Sequence, residues 1–296
     1  MSGGAMSAMN APPPLRGRMV DIGGRSLHLV CKGPAHDGPT VLCEAGAFGF
    51  SADWAEVQDR LAAHHIRSIA YDRAGMGRSD PGPKPRDGLA VVRDLETLLG
   101  RVGETGPYIL VGHSMAGLYV RIFAARNPDK VKGVVLVDAV TAEASRHPTF
   151  RSWIGGFMQA SNLAAQAARF GLFKPFSPIL GDKIGLKPEA AAEKRHAFAS
   201  VHHNQWAAEE VSRWIDTAKQ AEAAGAYEHH WPVAVVTAGP MRGRESWKAE
   251  QASPAMASKH PYMANVSRAG HANVLGQRYA DAVVKAILFV RGAAGH

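Results

Sequence analysis

Short, mainly apolar runs alternate with stretches of helical spacing in two parts of this chain. The runs fall at residues 40–44, 66–71, 108–111, 134–137, 232–237 and 262–266, and two earlier extended segments, 18–22 and 26–32, flank a Gly-Gly pair. Residues 89–99 and 118–125 instead repeat apolar side chains at the period of an α-helix. Strands that are apolar along their whole length are typical of a parallel sheet covered on both faces. The pattern predicts an α/β fold with a mostly parallel sheet, preceded by an antiparallel hairpin.

The alternation stops between residues 141 and 230. This stretch is rich in Ala, Phe and Trp and contains no good strand pattern. Its spacing predicts helices near residues 152–170, 188–206 and 206–224. We therefore expect a core formed by residues 18–140 and 231–296, a helical insertion at 141–230, and a flexible N-terminal tail at 1–17.

Composition narrows the possible partners. The chain has 296 residues, 46% of them hydrophobic, which is enough for a large core. The formal charge is +8, but the basic residues occur singly rather than in runs interleaved with aromatic residues, so nucleic acid is not a predicted partner. The 14 histidines lack cysteine or carboxylate neighbours at metal-binding spacing. We expect no metal and no other cofactor.

The sequence also bears on location. The first 14 residues contain no Lys or Arg and no apolar segment, so they do not have the pattern of a signal peptide. No apolar run in the chain reaches membrane-spanning length. We therefore expect a cytoplasmic protein without a membrane span. The sequence leaves the oligomeric state open.

A turn of small residues joins the run at 108–111 to the following helix. It reads Gly-His-Ser-Met-Ala-Gly, with Ser114 at its tip. A strand, a tight turn carrying Ser and an immediate helix form a nucleophile elbow, which exposes the hydroxyl above the sheet. The usual pattern has Gly where this chain has Ala116, the next smallest residue. The N–H of Met115 would point at an oxyanion formed by attack of Ser114.

A serine nucleophile requires a base, and the base requires an orienting acid. His271 follows Gly270 on a loop between the last short strand and the last helix, from which it can reach Ser114. Two acids are candidates. Asp138 directly follows the apolar run 134–137, at the edge of a parallel sheet where catalytic loops gather. Glu245 lies several residues beyond the run 232–237.

Together these features resemble the α/β-hydrolase fold superfamily. The resemblance rests on the elbow, on residues 44–49 and 72–79, and on Gly270-His271, and with the strand order it covers about residues 18–292. It implies an eight-stranded sheet, with 141–230 as a helical cap between the sixth and seventh strands. It also implies that the N–H of Ala47, or of its neighbour Phe48, is the second oxyanion donor. In similar proteins the loop at Asp72-Arg73 is a structural anchor.

The resemblance leaves the acid open. The family usually carries it after the seventh strand, which favours Glu245, but some relatives carry it after the sixth. We favour Asp138, because it directly follows its strand and its carboxylate therefore has a fixed position at the edge of the sheet. Dehalogenases and epoxide hydrolases of this fold use an Asp nucleophile, so Ser114 argues against both activities.

The leading hypothesis is a serine hydrolase that cleaves esters of largely apolar small molecules through an acyl-enzyme, with cap residues Phe157, Trp206 and Trp214 lining the pocket. Amide or peptide hydrolysis, acyl transfer and carbon–carbon cleavage with the same triad remain alternatives. So does a ligand receptor that binds without turnover. The motifs say little about which of these applies.

Overall fold

The computed structural model describes residues 13–35 and 38–294, and every structural statement below refers to these residues. The strands are β1 (Arg18–Asp21), β2 (Ser26–Lys32), β3 (Thr40–Glu44), β4 (Ser68–Tyr71), β5 (Tyr108–His113), β6 (Val131–Val137), β7 (Pro232–Ala238) and β8 (His260–Val266). The α-helices are α1 (Ala55–Ala63), α2 (Gly88–Arg101), α3 (Ala116–Arg126), α4 (Pro148–Arg169), α5 (Ser177–Leu180), α6 (Pro188–Ala199), α7 (Val201–Ser212), α8 (Trp214–Ala223), α9 (Glu245–Met256) and α10 (Ala280–Ala293).

The strands form one eight-stranded sheet in the order β1-β2-β4-β3-β5-β6-β7-β8. The hairpin of β1 and β2 is antiparallel, and β2 also pairs antiparallel with β4. All the other pairs are parallel. The predicted α/β class, the mostly parallel sheet and the number of strands are therefore confirmed.

Both faces of the sheet are buried, which explains its continuous apolar strands. In β6, Val134 and Leu136 belong to one hydrophobic cluster, whereas Val135 and Val137 belong to another on the opposite face. Helices α2, α3, α8 and α9 cover the first face, and α1 and α10 cover the second. Because successive side chains of a strand point to opposite faces, each strand feeds both clusters.

The predicted insertion between β6 and β7 is helical, as its composition indicated. Helices α4 to α7 each contribute residues to a cavity that Ser114 also lines. In contrast, α8 packs against α2 and α3, and Gln220 of α8 donates to Asp87 at the start of α2. The segment predicted as a cap thus includes one helix that covers the sheet. The division into core and cap stays a prediction.

The predicted tail, 1–17, falls largely on residues 1–12, which lie outside the described residues. Arg16, near its end, forms an ion pair with Glu193 of α6, with Nε 2.8 Å from Oε1. The chain is thus attached to the insertion before β1 begins.

Candidate active site

Ser114 occupies a sharp turn between β5 and α3. Its φ is 56°, in the left-handed region, which costs a non-glycine residue roughly 1 to 3 kcal/mol. A Cβ atom at Gly112 would lie 2.9 Å from the carbonyl oxygen of Ala116, so strand and helix can approach only without a side chain at 112. Ala116 is itself fully buried, and its methyl group is accommodated. The departure from the usual elbow pattern therefore leaves the turn intact.

His271 and Asp138 complete a chain of hydrogen bonds from Ser114. The Nε2 atom of His271 lies 2.9 Å from Ser114 Oγ, and its Nδ1 atom lies 2.6 Å from Asp138 Oδ2. A carboxylate can only accept from Nδ1–H, which leaves Nε2 free to accept the serine proton. This geometry is the one that a serine nucleophile, a histidine base and an orienting acid require.

Asp138 is fixed by the sheet on which it sits. It directly follows β6, its N–H donates to Val236 O at 2.7 Å, and its Oδ1 accepts from Ala238 N–H at 3.1 Å. Burial opposes its ionisation, but the hydrogen bond and charge of His271 and the N–H of Ala238 outweigh that effect. They hold the pKa of Asp138 below its ordinary value. The carboxylate is therefore charged at neutral pH.

Glu245 forms neither a hydrogen bond nor an ion pair with His271 within the described residues. It is the first residue of α9, it is exposed, and its Oε1 accepts from Gly243 N–H at 3.1 Å. Backbone N–H groups at this helix start, its own and that of Gly243, lower its pKa. Glu245 thus binds backbone N–H groups at the start of α9, whereas Asp138 is the carboxylate hydrogen-bonded to His271.

His113 holds the loop that carries His271. Its Nε2–H donates to the carbonyl oxygen of His271 at 2.9 Å, and the two rings lie 4.7 Å apart. Burial, reinforced by the neighbouring charge of His271, lowers the pKa of His113 to about 3. A neutral ring at this position can orient the base without competing for its proton.

The predicted oxyanion donors belong to residues beside Ser114: Met115 follows it in the chain, and Ala47 and Phe48 line the same cavity. Ala47 and Phe48 occupy a turn closed by a hydrogen bond from Gly49 N–H to Gly46 O at 3.0 Å. The N–H groups of Met115, Ala47 and Phe48 donate to no other group among the described residues. Free backbone donors beside a nucleophile are the usual components of an oxyanion hole.

A buried guanidinium holds this turn in place. Arg73 donates to the carbonyl oxygens of Ala45 at 2.6 Å and Gly46 at 2.9 Å. It also binds Glu44 at 2.8 Å and, through Nε, Glu210 of α7 at 2.9 Å. Burial raises the pKa of Glu44, although Arg73 opposes the shift. This one side chain therefore connects the proposed oxyanion turn to the inserted helices.

A cavity of about 350 Å³ lies beside Ser114 and His271. Its apolar wall consists of Phe48, Ala164, Phe173, Leu180, Ile184, Ala197, Phe198 and Ala272. Lys194 of α6 contributes its ammonium group, which contacts Asp53 Oδ1 at 2.7 Å and donates to Phe48 O at 3.2 Å. Asp53 thus lies against this ammonium group. Lys183, His203 and Asn204 also line the cavity, whose surface is mainly apolar.

The three aromatic residues predicted to line the pocket lie elsewhere, and this part of the prediction is corrected. Trp214 is buried among Phe157 and other rings between α4 and α8, with centroids 5.7 Å apart for that pair. Trp206 packs directly over the backbone of Gly75. Helices α7 and α8 use these rings to attach to the core, and none of the three lines the cavity beside Ser114.

Several residues that position the site were not identified from the sequence. Glu210 binds Arg73, which lies 137 residues earlier in the chain, and Lys194 binds Phe48, which lies 146 residues earlier. Partners so far apart leave no local pattern in the sequence. His113 had a visible signal, because it is the one bulky polar residue in a turn of small ones. Its proximity to Ser114 could have suggested a supporting role.

Within residues 13–35 and 38–294, no cluster of three or more His, Cys, Asp or Glu side chains is placed to bind a metal ion. Likewise, none of the helices in the described ranges has the length and apolar character needed to cross a bilayer.

The buried His203 should make stability depend on pH. Burial, with the nearby charge of Lys194, lowers its pKa to about 3, and its Nδ1 accepts from Gly77 N–H at 3.0 Å. Below pH 6.5 the unfolded chain takes up a proton at this residue that the folded protein does not, so acid lowers the free energy of unfolding.

The variant His203→Asn tests this effect, because Asn keeps an acceptor near the position of Nδ1 and removes the titration. Between pH 7 and 5, urea unfolding should therefore show the wild type losing about 2 kcal/mol more than His203→Asn. Equal losses would contradict the prediction.

The comparisons with known proteins agree with this architecture. Residues 39–227 match the family model described as the alpha/beta hydrolase fold. A segment of 129 residues, 42% of this chain, is 34% identical to 18% of a Hormonema carpetanum protein described as a probable transporter. The chain spans less than half of the length of the curated relatives it matches.

Solved structures cover nearly the whole chain at low identity. An epoxide hydrolase of Acinetobacter nosocomialis superposes with a TM-score of 0.70 at 20% identity, covering 92% of this chain and 87% of that one. An enol-lactonase of Burkholderia xenovorans LB400 superposes with a TM-score of 0.66 at 17% identity, covering 92% and 98%. At such identity the likeness concerns the fold. With the family model matched over more than half of its length, this chain belongs to the alpha/beta hydrolase fold family.

Proposed function

We propose that this protein is a serine hydrolase that cleaves carboxylic esters of largely apolar small molecules through an acyl-enzyme. The observation that carries the proposal is the unbroken chain from Ser114 Oγ through His271 to Asp138, with separations of 2.9 and 2.6 Å, at one end of the cavity. This arrangement activates a hydroxyl for attack on an acyl carbon.

The proposed steps follow from the geometry. Ser114 Oγ attacks the ester carbonyl while His271 Nε2 takes its proton, and Asp138 stabilises the resulting imidazolium. The N–H groups of Met115 and Ala47 hold the oxyanion, with Phe48 as the alternative to Ala47. His271 then returns the proton to the leaving alcohol. A water molecule attacks the acyl-enzyme by the same route and releases the acid.

The nucleophile and the cavity favour an ester over the reactions of some structural neighbours. The apolar wall suits an acyl or alkoxy group of low polarity. The enol-lactonase that shares the fold acts, by its name, on a cyclic ester. Amide or peptide hydrolysis, acyl transfer, carbon–carbon cleavage and binding without turnover use the same side chains. In the experiment below, anilides test amide hydrolysis, an added alcohol tests acyl transfer, and the number of turnovers tests binding without turnover. Action in the cytoplasm stays a prediction.

A panel of chromogenic esters with acyl chains of different length tests the proposal, run beside matched anilides and with added alcohol as a competing acceptor. We expect many turnovers on esters, little cleavage of anilides, and acid rather than new ester as the main product. A fluorophosphonate should label Ser114, as located by mass spectrometry. Labelling of another serine, or a single turnover per chain, would reject the proposal.

The cavity wall should determine the preferred acyl length. Phe198 lines the cavity, with its ring 5.2 Å from that of Phe173. Phe198→Ala should enlarge the site and raise kcat/KM for a long acyl chain relative to acetate by about tenfold, in line with 1 to 3 kcal/mol for pocket changes of this kind. Trp206→Ala is the matched control, because that ring lies outside the cavity. Its ratio should stay unchanged, and equal shifts in both variants would show that the cavity does not select the substrate.

A further inference from the structure

The outer surface of the inserted helices is unusually apolar between residues 163 and 180. We call this segment, the end of α4 through α5, the outer cap face. Six of the thirteen large apolar side chains that are exposed among the described residues lie in it. Leu163, Phe170 and Ile179 are 70%, 81% and 80% exposed. Isolated exposed apolar residues are normal, but a concentration of this kind marks an interaction site.

The same segment forms part of the wall of the Ser114 cavity. Ala164, Phe173 and Leu180 line that cavity, as does Gly181 directly after the segment. Phe170, Phe176 and Ile179 alternate with these residues and face outward. The outer cap face therefore adjoins the cavity, so whatever binds the face is held close to Ser114.

The charged side chains in the outer cap face and in the residues just before it are all basic. Residues 144–181 contain no Asp or Glu, and their charged residues are Arg146, Arg151, Arg169 and Lys174. Arg146 is paired with Glu222. Arg151, Arg169 and Lys174 are exposed and form no ion pair within the described residues. Apolar side chains with cations and without anions match a surface of anionic headgroups over apolar chains.

We propose that the outer cap face docks onto an anionic lipid surface. Phe170, Phe176 and Ile179 would enter the boundary between headgroups and acyl chains, and Arg169 and Lys174 would lie at the headgroups. Docking itself does not depend on catalysis. Only the consequence of docking rests on the proposed function: apolar esters would reach the cavity directly from the lipid.

Flotation with vesicles tests the docking, using the Ser114→Ala protein so that binding is measured apart from turnover. We expect at least about tenfold more protein on vesicles of phosphatidylcholine with roughly a third phosphatidylglycerol than on phosphatidylcholine alone, since Arg169 and Lys174 would both lie near the anionic surface. Salt at about 1 M should remove most of the difference. Equal binding to both vesicles, or to neither, would overturn the proposal.

Paired variants locate the surface. Phe170→Ser with Ile179→Ser should lower binding about tenfold or more, and Arg169→Glu with Lys174→Glu should do the same. The controls are Met256→Ser with Met263→Ser, which are 68% and 56% exposed elsewhere, and Lys285→Glu on α10. Controls that fall equally would contradict the location. Light scattering completes the test, because a dimer that the Phe170 and Ile179 changes dissociate would assign this face to self-association instead.

Discussion

Replacing Ser114 with Ala should lower kcat by about 10⁴-fold or more while the fold persists. The change removes one oxygen atom. Within the described residues, that oxygen forms one hydrogen bond, to His271 Nε2 at 2.9 Å. The left-handed backbone at this position is the same for Ala as for Ser, so the strain of the turn is unchanged. Steady-state kinetics on the best ester of the panel would measure the loss, and circular dichroism would confirm the fold.

Ser68 offers a matched control. Ser68 lies on β4 and is fully buried, and its hydroxyl has no partner within the described residues. Ser68→Ala should therefore leave kcat within about twofold, because no reacting group is removed. Full activity in Ser114→Ala would show that another residue carries the reaction.

The Asp138→Asn change should lower kcat by about 10³-fold or more, and Glu245→Gln by less than about tenfold. An amide keeps the size of the Asp138 side chain, but its NH₂ group cannot accept from His271 Nδ1–H. The ring is then held in the wrong tautomer, with its proton directed at Ser114. The carboxylate of Glu245 is exposed at the start of α9 and makes no contact with His271.

The two acids can be compared in parallel, because both changes conserve volume and remove one charge. Unfolding in urea would show whether either variant loses structure. A larger loss for Glu245→Gln would move the acid to the loop after β7. Small and equal losses would mean that another group, or water, orients His271.

The strands and the sharp turn at Ser114 were predictable because their signals are local. A parallel strand buried on both faces must be apolar along its length, and the elbow requires small residues at adjacent positions. His271 was identified from its loop and its order in the chain. The choice between Asp138 and Glu245 was harder, because both follow strands that end at the same edge of the sheet.

The wall of the cavity was not predictable in the same way. An aromatic residue in an amphipathic helix can face the sheet, a neighbouring helix or a cavity, and its spacing alone does not distinguish these. Trp206 and Trp214 are used in attaching α7 and α8, whereas Phe173 and Phe198 line the cavity. Which surface each ring meets depends on how the inserted helices pack, a property of the tertiary structure.

The buried guanidinium of Arg73 limits which insertions could replace residues 141–230 of this chain. Its contacts reach Glu210 in the inserted helices and the carbonyl oxygens of Ala45 and Gly46 in the catalytic core. A foreign insertion without a carboxylate at the position of Glu210 would leave a buried cation short of one partner, at a cost of about 3 to 5 kcal/mol. A replacement insertion should therefore be tolerated better when it carries a carboxylate at the position of Glu210.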